Sequence, residues 1–355
     1  MDRYIGLDAH AASCTLAILS ATGARLRCFP VETNGSALVE AIRAVPGRRH
    51  LIFEEGIHSA WLFETLERHT DEIVVAGITT SRGLKNDSRD AYGLAEKLRT
   101  NAVDKRIFKA PREFAALREL ARVHTMLVRD VVRVQSRLKS IYRSRAIPTA
   151  GLGVYGPRRD EWQSQLPPVC RRTALTLYAQ YDSLVALKEH AEAELIAESR
   201  THRISRTLQT APGLGPIRVA RLLPIVVTPH RFRTKRQFWS YCGLGIVTRS
   251  SSDWTRVAGG QWQRAKVAQT RGLSMQHNHT LKDIFKGAAT TVVQHAKGEM
   301  YRDYQRMLES GTKPNLAKLT LARKIAAIVL RMWKDEEVYR PGDVAKTKQL
   351  ARSTA

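Results

Sequence analysis

The first hundred residues alternate between short apolar runs and amphipathic stretches. The apolar runs predict five strands, at residues 4–8, 14–20, 26–33, 49–55 and 72–77. Helical spacing predicts three helices, at residues 34–44, 58–69 and 86–100. The order is three strands, a helix, a strand, a helix, a strand and a helix. This order predicts a mixed α/β domain over residues 1–110 that opens with a β-hairpin.

From residue 112 onward the apolar positions follow a longer period. Alternating steps of three and four predict a long helix whose heptad seam is formed by Leu117, Leu120, His124, Leu127, Val131, Val134, Leu138 and Ile141. His124 is the polar interruption in this seam. A stretch rich in glycine and proline at 147–168 precedes a second long helix at about 170–200. We therefore expect residues 111–203 to form an antiparallel coiled-coil hairpin or a dimerisation arm.

The remainder of the chain, residues 204–341, is basic and mostly helical by its pattern. Its last predicted helix lies within 315–341, where the apolar positions are Leu319, Ile325, Ile328 and Val329. This spacing is typical of a core helix. We expect a mostly α C-terminal domain over 204–341, followed by a loose tail at 342–355.

The net charge of the chain indicates what kind of partner it binds. The 355 residues include 58 lysines and arginines against 33 aspartates and glutamates, a formal net charge of +25 spread along the whole length. Such a surplus favours a polyanionic partner, because neutralising phosphates releases counterions. No stretch has the roughly 20 apolar residues that span a bilayer, and the N-terminus lacks a secretion signal. We expect a cytoplasmic protein that binds nucleic acid and no membrane.

Two groups of residues are candidates for contacting nucleic acid. Arginines on the polar faces of the first long helix form a basic stripe, represented by Arg129, Arg133 and Arg137. The segment "LQTAPGLGPIRVARLLPIV" (208–226) is similar to a helix–hairpin–helix element. Gly213 and Gly215 would allow a tight turn whose backbone amides approach phosphate, with Arg218 beside it. A solvated helix face and an ordinary glycine turn are the structural alternatives.

Carboxylates stand at the ends of the predicted elements of the first domain. Asp8 ends the first strand, Glu54 or Glu55 ends the fourth, and Asp87 and Asp90 lie three apart on one helix face. Each alone fits a cap, a turn or a strand edge. The nearby His10 and His58 could orient a carboxylate, and a structural role is the favoured interpretation of both. Converging carboxylates repel each other, so a protein keeps them mainly to hold hard cations. We expect Mg²⁺, two ions in the arrangement that assists phosphoryl transfer.

An opening β-hairpin sheet with acidic strand ends in a basic protein is typical of a ribonuclease H-like nuclease core. Three blocks, "YIGLDAH", "LIFEEGIHSAWLFETL" and "KNDSRDAYGLAEKLR", resemble the catalytic blocks of the IS110 family of bacterial insertion-sequence transposases. The resemblance implies a RuvC-like DEDD domain. It places the four metal-binding carboxylates on Asp8, Glu54, Asp87 and Asp90, with Glu55 as the alternative for the second.

The same resemblance extends to the C-terminal domain. The family has a nucleophilic serine in a Ser-Ser-Gly block a few residues after a Gly-Leu pair. Counted from Gly243-Leu244, that block falls on 250–252, which implies Ser251 as the nucleophile with Ser250 and Ser252 as alternatives. The chain has Ser252-Asp253 where the family has glycine. Arg249 would help to neutralise the scissile phosphate.

The resemblance implies a transposase that cuts and rejoins DNA through these carboxylates and a serine. It also implies a structured guide RNA from the element, and a homodimer that assembles into a tetramer. Two other functions remain open. A hydrolytic junction-resolving nuclease would use the carboxylates alone, and a non-catalytic nucleic-acid-binding protein would use neither group.

Overall fold

The computed structural model describes residues 1–78, 86–109, 111–151, 153–249, 254–264 and 269–341. The chain divides into two compact units, the first over Met1–Glu113 and the second from Phe114 onward. The prediction of a separate arm over 111–203 and a separate domain over 204–341 stays a prediction.

The described residues of the first unit form five strands and three α-helices in the order that the sequence pattern predicts, which confirms all eight predicted elements. Their bounds are β1 (Asp2–Ala9), β2 (Ser13–Ser20), β3 (Arg25–Glu32), α1 (Gly35–Arg43), β4 (Arg48–Glu54), α2 (Ser59–Leu66), β5 (Glu72–Ala76) and α3 (Asp87–Arg99). The side chain of Asn34 accepts hydrogen bonds from the backbone amides of Ser36 and Ala37, so it caps the start of α1.

The five strands form one mixed sheet in the order β3-β2-β1-β4-β5. β1, β2 and β3 are antiparallel neighbours, whereas β4 runs parallel to β1 and β5 runs parallel to β4. The helices that follow β3 and β4 supply the crossovers that the parallel strands need. As a consequence, β1 and β4 lie side by side at the centre of the sheet and end at the same edge.

The two faces of this sheet are covered by different helices. Leu7 on β1 and Phe53 on β4 point to one face, where they pack in a core with Leu38 of α1 and Leu62 of α2. Side chains of a strand alternate between faces, so the residues next to these point the other way. There Ile52, Val74 and Ala76 pack against Leu94 and Leu98 of α3.

The second unit is mostly helical, as predicted, but its described residues also form four short strands that the sequence pattern does not predict. Its elements are α4 (Ala115–Arg143), α5 (Arg159–Ser164), α6 (Pro168–Thr201), α7 (Ile204–Leu208), α8 (Pro216–Val226), α9 (Lys235–Tyr241), β6 (Ile246–Arg249), β7 (Trp254–Arg256), β8 (Trp262–Arg264), β9 (Gln269–Leu273), α10 (His279–His295), α11 (Gly298–Glu309) and α12 (Pro314–Asp335). The strands have three to five residues and form two separate pairs. Runs this short carry too few alternations to be recognised from periodicity.

Helices α4 and α6 run antiparallel and pack against each other, which confirms the predicted helical hairpin. Tyr142 near the end of α4 contacts Tyr178 near the start of α6, while His124 in the first half of α4 lies 3.7 Å from Glu192 in the second half of α6. His124 is buried, so it occupies the seam and does not interrupt its packing. Helix α8 packs against both helices of the hairpin.

The last helix of the described chain, α12, has the buried apolar face that the sequence pattern predicts. Ile325, Ile328 and Val329 are buried in it, whereas Leu319 is half-buried. Within the described residues, no helix combines the length and the hydropathy that crossing a membrane requires. The tail at 342–355 lies outside the described residues.

Candidate carboxylate site and nucleic-acid contacts

Asp8 and Glu54 end two neighbouring parallel strands at the same edge of the sheet. The register of β1 on β4 pairs Leu7 with Phe53, and the next residue on each strand is the acidic one. Asp8 lies two positions after Gly6, and Glu54 lies two positions after Ile52. Residues two apart on a strand share a face, and Gly6 and Ile52 face α3. Both carboxylates therefore belong to the sheet face that α3 covers. The structure thus brings the first two predicted carboxylates into one cleft, which is lined by both.

Glu55, the alternative to Glu54, is engaged elsewhere. Its Oε2 atom lies 2.6 Å from Nζ of Lys109, and its Oε1 atom accepts a hydrogen bond of 3.2 Å from the Ser59 hydroxyl at the start of α2. Glu55 is not among the residues that line the cleft. The geometry therefore favours Glu54 as the member of the carboxylate group.

Helix α3 brings the other two carboxylates to the cleft. The side chain of Asn86 accepts a hydrogen bond from the backbone amide of Arg89, so the helix begins at Asp87. Asp87 and Asp90 both lie in its first turn and both line the cleft. The position of this turn depends on Gly6, because a Cβ there would overlap the carbonyl oxygen of Ala91 and stand 2.8 Å from the amide of Ala95.

His10 lies between two of the carboxylates, in the position of the orienting residue and not of the structural one that the sequence favours. Its Nε2 atom is 3.3 Å from Oδ2 of Asp8 and 3.6 Å from Oδ1 of Asp87. One pattern in the sequence points to it: His10 follows Asp8 by two positions, directly after β1 ends at Ala9, so an extended chain keeps both side chains on one side. The ring is half exposed, and it is placed to orient both carboxylates.

The electrostatics of the cleft act most strongly on Asp8. Burial raises the pKa of this carboxyl, and the negative charges of Asp87 and Asp90 raise it further, while His10 opposes both effects. The cleft that contains these groups has a volume of about 810 Å³. A cation bound in the cleft would stabilise the charged form of Asp8 and so offset these effects.

The donor set fits a divalent metal ion. One ligand atom from each of Asp8, His10 and Asp87 lies within 4.8 Å of the others. Carboxylate oxygens are the ligands that Mg²⁺ and Mn²⁺ prefer, and imidazole nitrogen is tolerated better by Mn²⁺ than by Mg²⁺. Glu54 and Asp90 line the same cleft and extend the set of oxygen donors.

The turn that resembles a helix–hairpin–helix lies between α7 and α8. Gly213 has φ +73, and a Cβ there would overlap the carbonyl oxygen of Ala288 on α10, so glycine is required for packing. Arg218 donates from Nη1 to the carbonyl oxygen of Gly213 (2.7 Å) and to the hydroxyl of Thr291 (3.0 Å). Gly215 caps α8 beside open space. These contacts hold the turn against α10, and its binding to DNA stays a prediction.

The arginines of the first long helix lie on its exposed surface. Arg129, Arg133 and Arg137 follow each other at steps of four on α4, so they share one face of the helix. Arg133 also lies 3.3 Å from Asp130. The placement is compatible with the predicted basic stripe.

The predicted nucleophiles Ser250, Ser251 and Ser252 lie outside the described residues, and of Arg249 the structure describes the backbone, at the end of β6. The Gly243–Gly245 turn that leads to β6 is described. Arg323 of α12 donates from Nε to the carbonyl oxygen of Leu244 (2.7 Å), and its own carbonyl accepts a 2.9 Å hydrogen bond from the indole of Trp239. The base of the serine-bearing segment is therefore tied to α12.

Comparison with known proteins gives two family-model matches and one curated relative. Residues 5–144 match a model of DEDD transposases of IS110 elements, and residues 205–305 match the model described as "Transposase IS116/IS110/IS902 family". The chain is also 24% identical over 269 residues to a Sinorhizobium fredii protein named "Putative transposase y4pF/y4sB". That alignment covers 73% of this chain and spans 65% of the length of the relative.

Both matched models describe transposases, and the carboxylate cleft lies inside the segment that the DEDD model covers. The chain belongs to the IS110 family of transposases.

Proposed function

We propose that this protein is a DNA transposase that cuts and rejoins the ends of an insertion sequence, and that residues 1–110 are its ribonuclease H-like, RuvC-like catalytic domain. One observation carries the proposal: Asp8, Glu54, Asp87 and Asp90 all line one cleft at the carboxyl edge of a β3-β2-β1-β4-β5 sheet. Four carboxylates from three separate elements converge there against their mutual repulsion, which is the arrangement that a metal-dependent phosphoryl transfer needs.

The four carboxylates would hold Mg²⁺, two ions in the expected arrangement, and bound Mg²⁺ supplies a Lewis acid for phosphate oxygens. The chain's own residues fix that site in three ways. The parallel register holds Asp8 beside Glu54, the N-terminus of α3 presents Asp87 and Asp90, and His10 orients Asp8 and Asp87. Because these groups sit on a sheet and a helix, little reorganisation is needed when the phosphate arrives.

The proposed nucleophile is Ser251, with Ser250 and Ser252 as alternatives. Attack of the serine oxygen forms an ester bond to phosphorus and breaks the bond from phosphorus to the leaving sugar oxygen. The serine loses its proton to solvent, and the leaving oxygen gains one. The phosphoserine–DNA ester conserves the energy of the broken bond, so the reverse step rejoins strands without an external energy source.

The partners follow from charge and from family resemblance. A net charge of +25 supports a polyanionic partner, and DNA is the substrate. A structured guide RNA encoded by the element is the second nucleic acid in this proposal. Recombination between two DNA duplexes needs several active sites at once, so we propose a homodimer that assembles into a tetramer.

The test uses the full chain co-expressed with the DNA that flanks its gene, mixed with labelled element-junction DNA and Mg²⁺. A denaturing gel reports the protein–DNA adduct and the cleaved strand. We expect the parent to form an adduct, and Asp87→Asn and Ser251→Ala to lose it. If the adduct were lost in Ser250→Ala or Ser252→Ala but kept in Ser251→Ala, the nucleophile would be that other serine and the mechanism would be unchanged. Glu55→Gln is the matched control, because that carboxylate lies outside the cleft.

A hydrolytic junction-resolving nuclease is the second candidate, because the carboxylate group is complete within the first unit. This function predicts that strand cleavage requires Asp87 and continues when all three serines are replaced by alanine. It also predicts that no protein–DNA adduct forms. The absence of any metal-dependent cleavage on junction DNA would contradict both functions and leave a nucleic-acid-binding protein.

A further inference from the structure

The cleft that holds the carboxylates continues well beyond them, along the full length of α3. Its walls include the β2–β3 turn at one side and successive residues of α3 at the other, as far as Lys97 and Arg99. From Asp87 to Lys97 the helix rises about 15 Å. The four carboxylates therefore occupy one end of a longer cleft whose remainder the catalytic site does not use.

The far part of the cleft has the opposite charge to the carboxylate end. Arg25 at the start of β3 and Lys97 and Arg99 at the end of α3 line this part. The acidic Glu96 in this part is bound by Arg99, whose Nε and Nη2 atoms lie 2.7 and 2.6 Å from its carboxylate oxygens. Beyond the carboxylates the cleft is therefore basic, which suits a chain of phosphates.

An aromatic ring lies midway along the cleft. The guanidinium of Arg25 stacks over the ring of Tyr92, with its central carbon 4.6 Å from the ring centroid. This contact joins β3 to α3 and places a planar cation and an aromatic ring beside the phosphate path. Stacking surfaces of this kind bind the bases of single strands without regard to sequence.

Gly93 is the feature that packing does not explain. It lies in the interior of α3, where glycine is less favourable than any residue except proline, and it lines the cleft. A Cβ built on it would meet no atom within 4 Å, unlike one on Gly6. No neighbour in the described fold therefore requires a glycine there. The close approach of a ligand to the helix backbone would require it.

We propose that the cleft along α3 holds the DNA strand that flanks the scissile phosphate, and that Gly93, Arg25 and Lys97 bind it. This inference rests on the proposed function. The strand runs from the carboxylates toward Lys97, and at a rise of about 3.4 Å per nucleotide the 15 Å path takes about four stacked nucleotides. DNA is the occupant because the cleft is continuous with the site that acts on the DNA phosphate.

The test is photocrosslinking of the full chain to junction DNA strands that each carry one 5-iodouracil, placed one to eight nucleotides from the junction. The reactions contain Ca²⁺, a hard cation that binds carboxylates, and crosslinked tryptic peptides are identified by mass spectrometry. We expect the peptide of residues 90–97, which contains Tyr92, to be labelled from the first four positions on one side of the junction.

Variants separate occupation of the cleft from general attraction to a basic protein. Leucine in Gly93→Leu favours the helix and fills the open space, so we expect an unchanged or higher Tm and at least a fivefold loss of crosslinks at 90–97. Arg25→Ala should lose crosslinks there as well. Arg43→Ala is the matched control, because Arg43 is also exposed in this unit but lies on α1, at the opposite face of the sheet.

Three results would overturn the inference. Labelling confined to peptides outside 90–97, or full labelling of Gly93→Leu, would mean that the strand does not run along α3. Stronger labelling of 90–97 by RNA of the same sequence would mean that the cleft holds RNA. The readout of this test is a crosslink and not cleavage, so the two proposals can fail separately. If residues 90–97 were labelled but Asp87→Asn still cleaved DNA as fast as the parent, only the proposed function would be contradicted.

Discussion

Gly6 of β1 and Ala91 of α3 are in direct backbone contact, and no side chain fits between them. A Cβ on Gly6 would overlap the carbonyl oxygen of Ala91, and the amide of Ala95 would stand 2.8 Å from it. This contact sets the distance between the sheet and α3, and α3 carries Asp87 and Asp90. The geometry of the carboxylate site therefore depends on a residue that has no side chain.

The first prediction follows from this contact. Gly6→Ala should push α3 away from β1, lower the free energy of unfolding by roughly 1–3 kcal/mol and separate Asp8 from Asp87. Chemical denaturation measures the first effect, and Mn²⁺ binding by the folded variant measures the second. Gly56→Ala is the control, because a Cβ on Gly56 meets no atom within 4 Å. Equal stability and equal Mn²⁺ affinity in the Gly6 variant would refute this account of the contact.

The second prediction separates the two glutamates at the end of β4. Glu54→Gln should lower metal affinity and abolish Mg²⁺-dependent cleavage, because it removes a charge from the cleft. Glu55→Gln should leave both unchanged and lower the free energy of unfolding by about 1–3 kcal/mol, because it removes the charge that pairs with the largely buried Lys109. Titration calorimetry with Mn²⁺ and a cleavage assay compare the pair. The reverse pattern would assign the site to Glu55.

The third prediction concerns the two buried tyrosines of the helical hairpin. Tyr178 donates its hydroxyl hydrogen to the carbonyl oxygen of Val154 (2.8 Å), so Tyr142 is the donor in the 2.9 Å bond between the two hydroxyls. Tyr178→Phe leaves two buried groups unpaired and should cost about 2–3 kcal/mol, whereas Tyr142→Phe should cost about 1 kcal/mol. Denaturant unfolding of the two variants decides the order. Equal losses would mean that the donors are assigned wrongly.

The fourth prediction is a pH dependence that originates at His124. Burial lowers the pKa of His124, the charge of Arg221 on α8 lowers it further, and Glu192 on α6 opposes both, while Lys188 adds a smaller lowering. Because the folded pKa lies below the unfolded value of about 6.5, the folded state binds fewer protons. The stability from His124 is complete above about pH 6.5 and is lost as the pH falls through the folded pKa.

His124→Leu should therefore flatten the pH dependence of unfolding below pH 6.5, since leucine fits the heptad seam and carries no proton. The slope due to one such group is at most about 1.4 kcal/mol per pH unit. His190→Leu is the matched control, because His190 lies on α6 with a 74% exposed side chain. If both variants kept the parent's pH profile, His124 would not be the source.

Much of the first unit is readable from the sequence because its strands and helices have clear periods. All eight elements follow from apolar spacing, and the antiparallel hairpin of α4 and α6 follows from the heptad seam and the intervening proline-rich segment. The four short strands that the structure describes between Ile246 and Leu273 cannot be read in this way. Strands of three to five residues form because of contacts with the rest of the chain and not because of their own pattern.

The sequence by itself determines that carboxylates stand at the ends of β1 and β4 and at the start of α3, because local periodicity and capping fix where those elements end. The tertiary structure decides which of Glu54 and Glu55 lies in the cleft, that His10 stands between Asp8 and Asp87, and that Gly213 packs against α10. The physical reason is that the alternation of side chains along a strand defines the two faces of the sheet but does not determine which helix covers each face. That choice is made by register and by close contacts between residues far apart in the chain, such as Gly6 with Ala91.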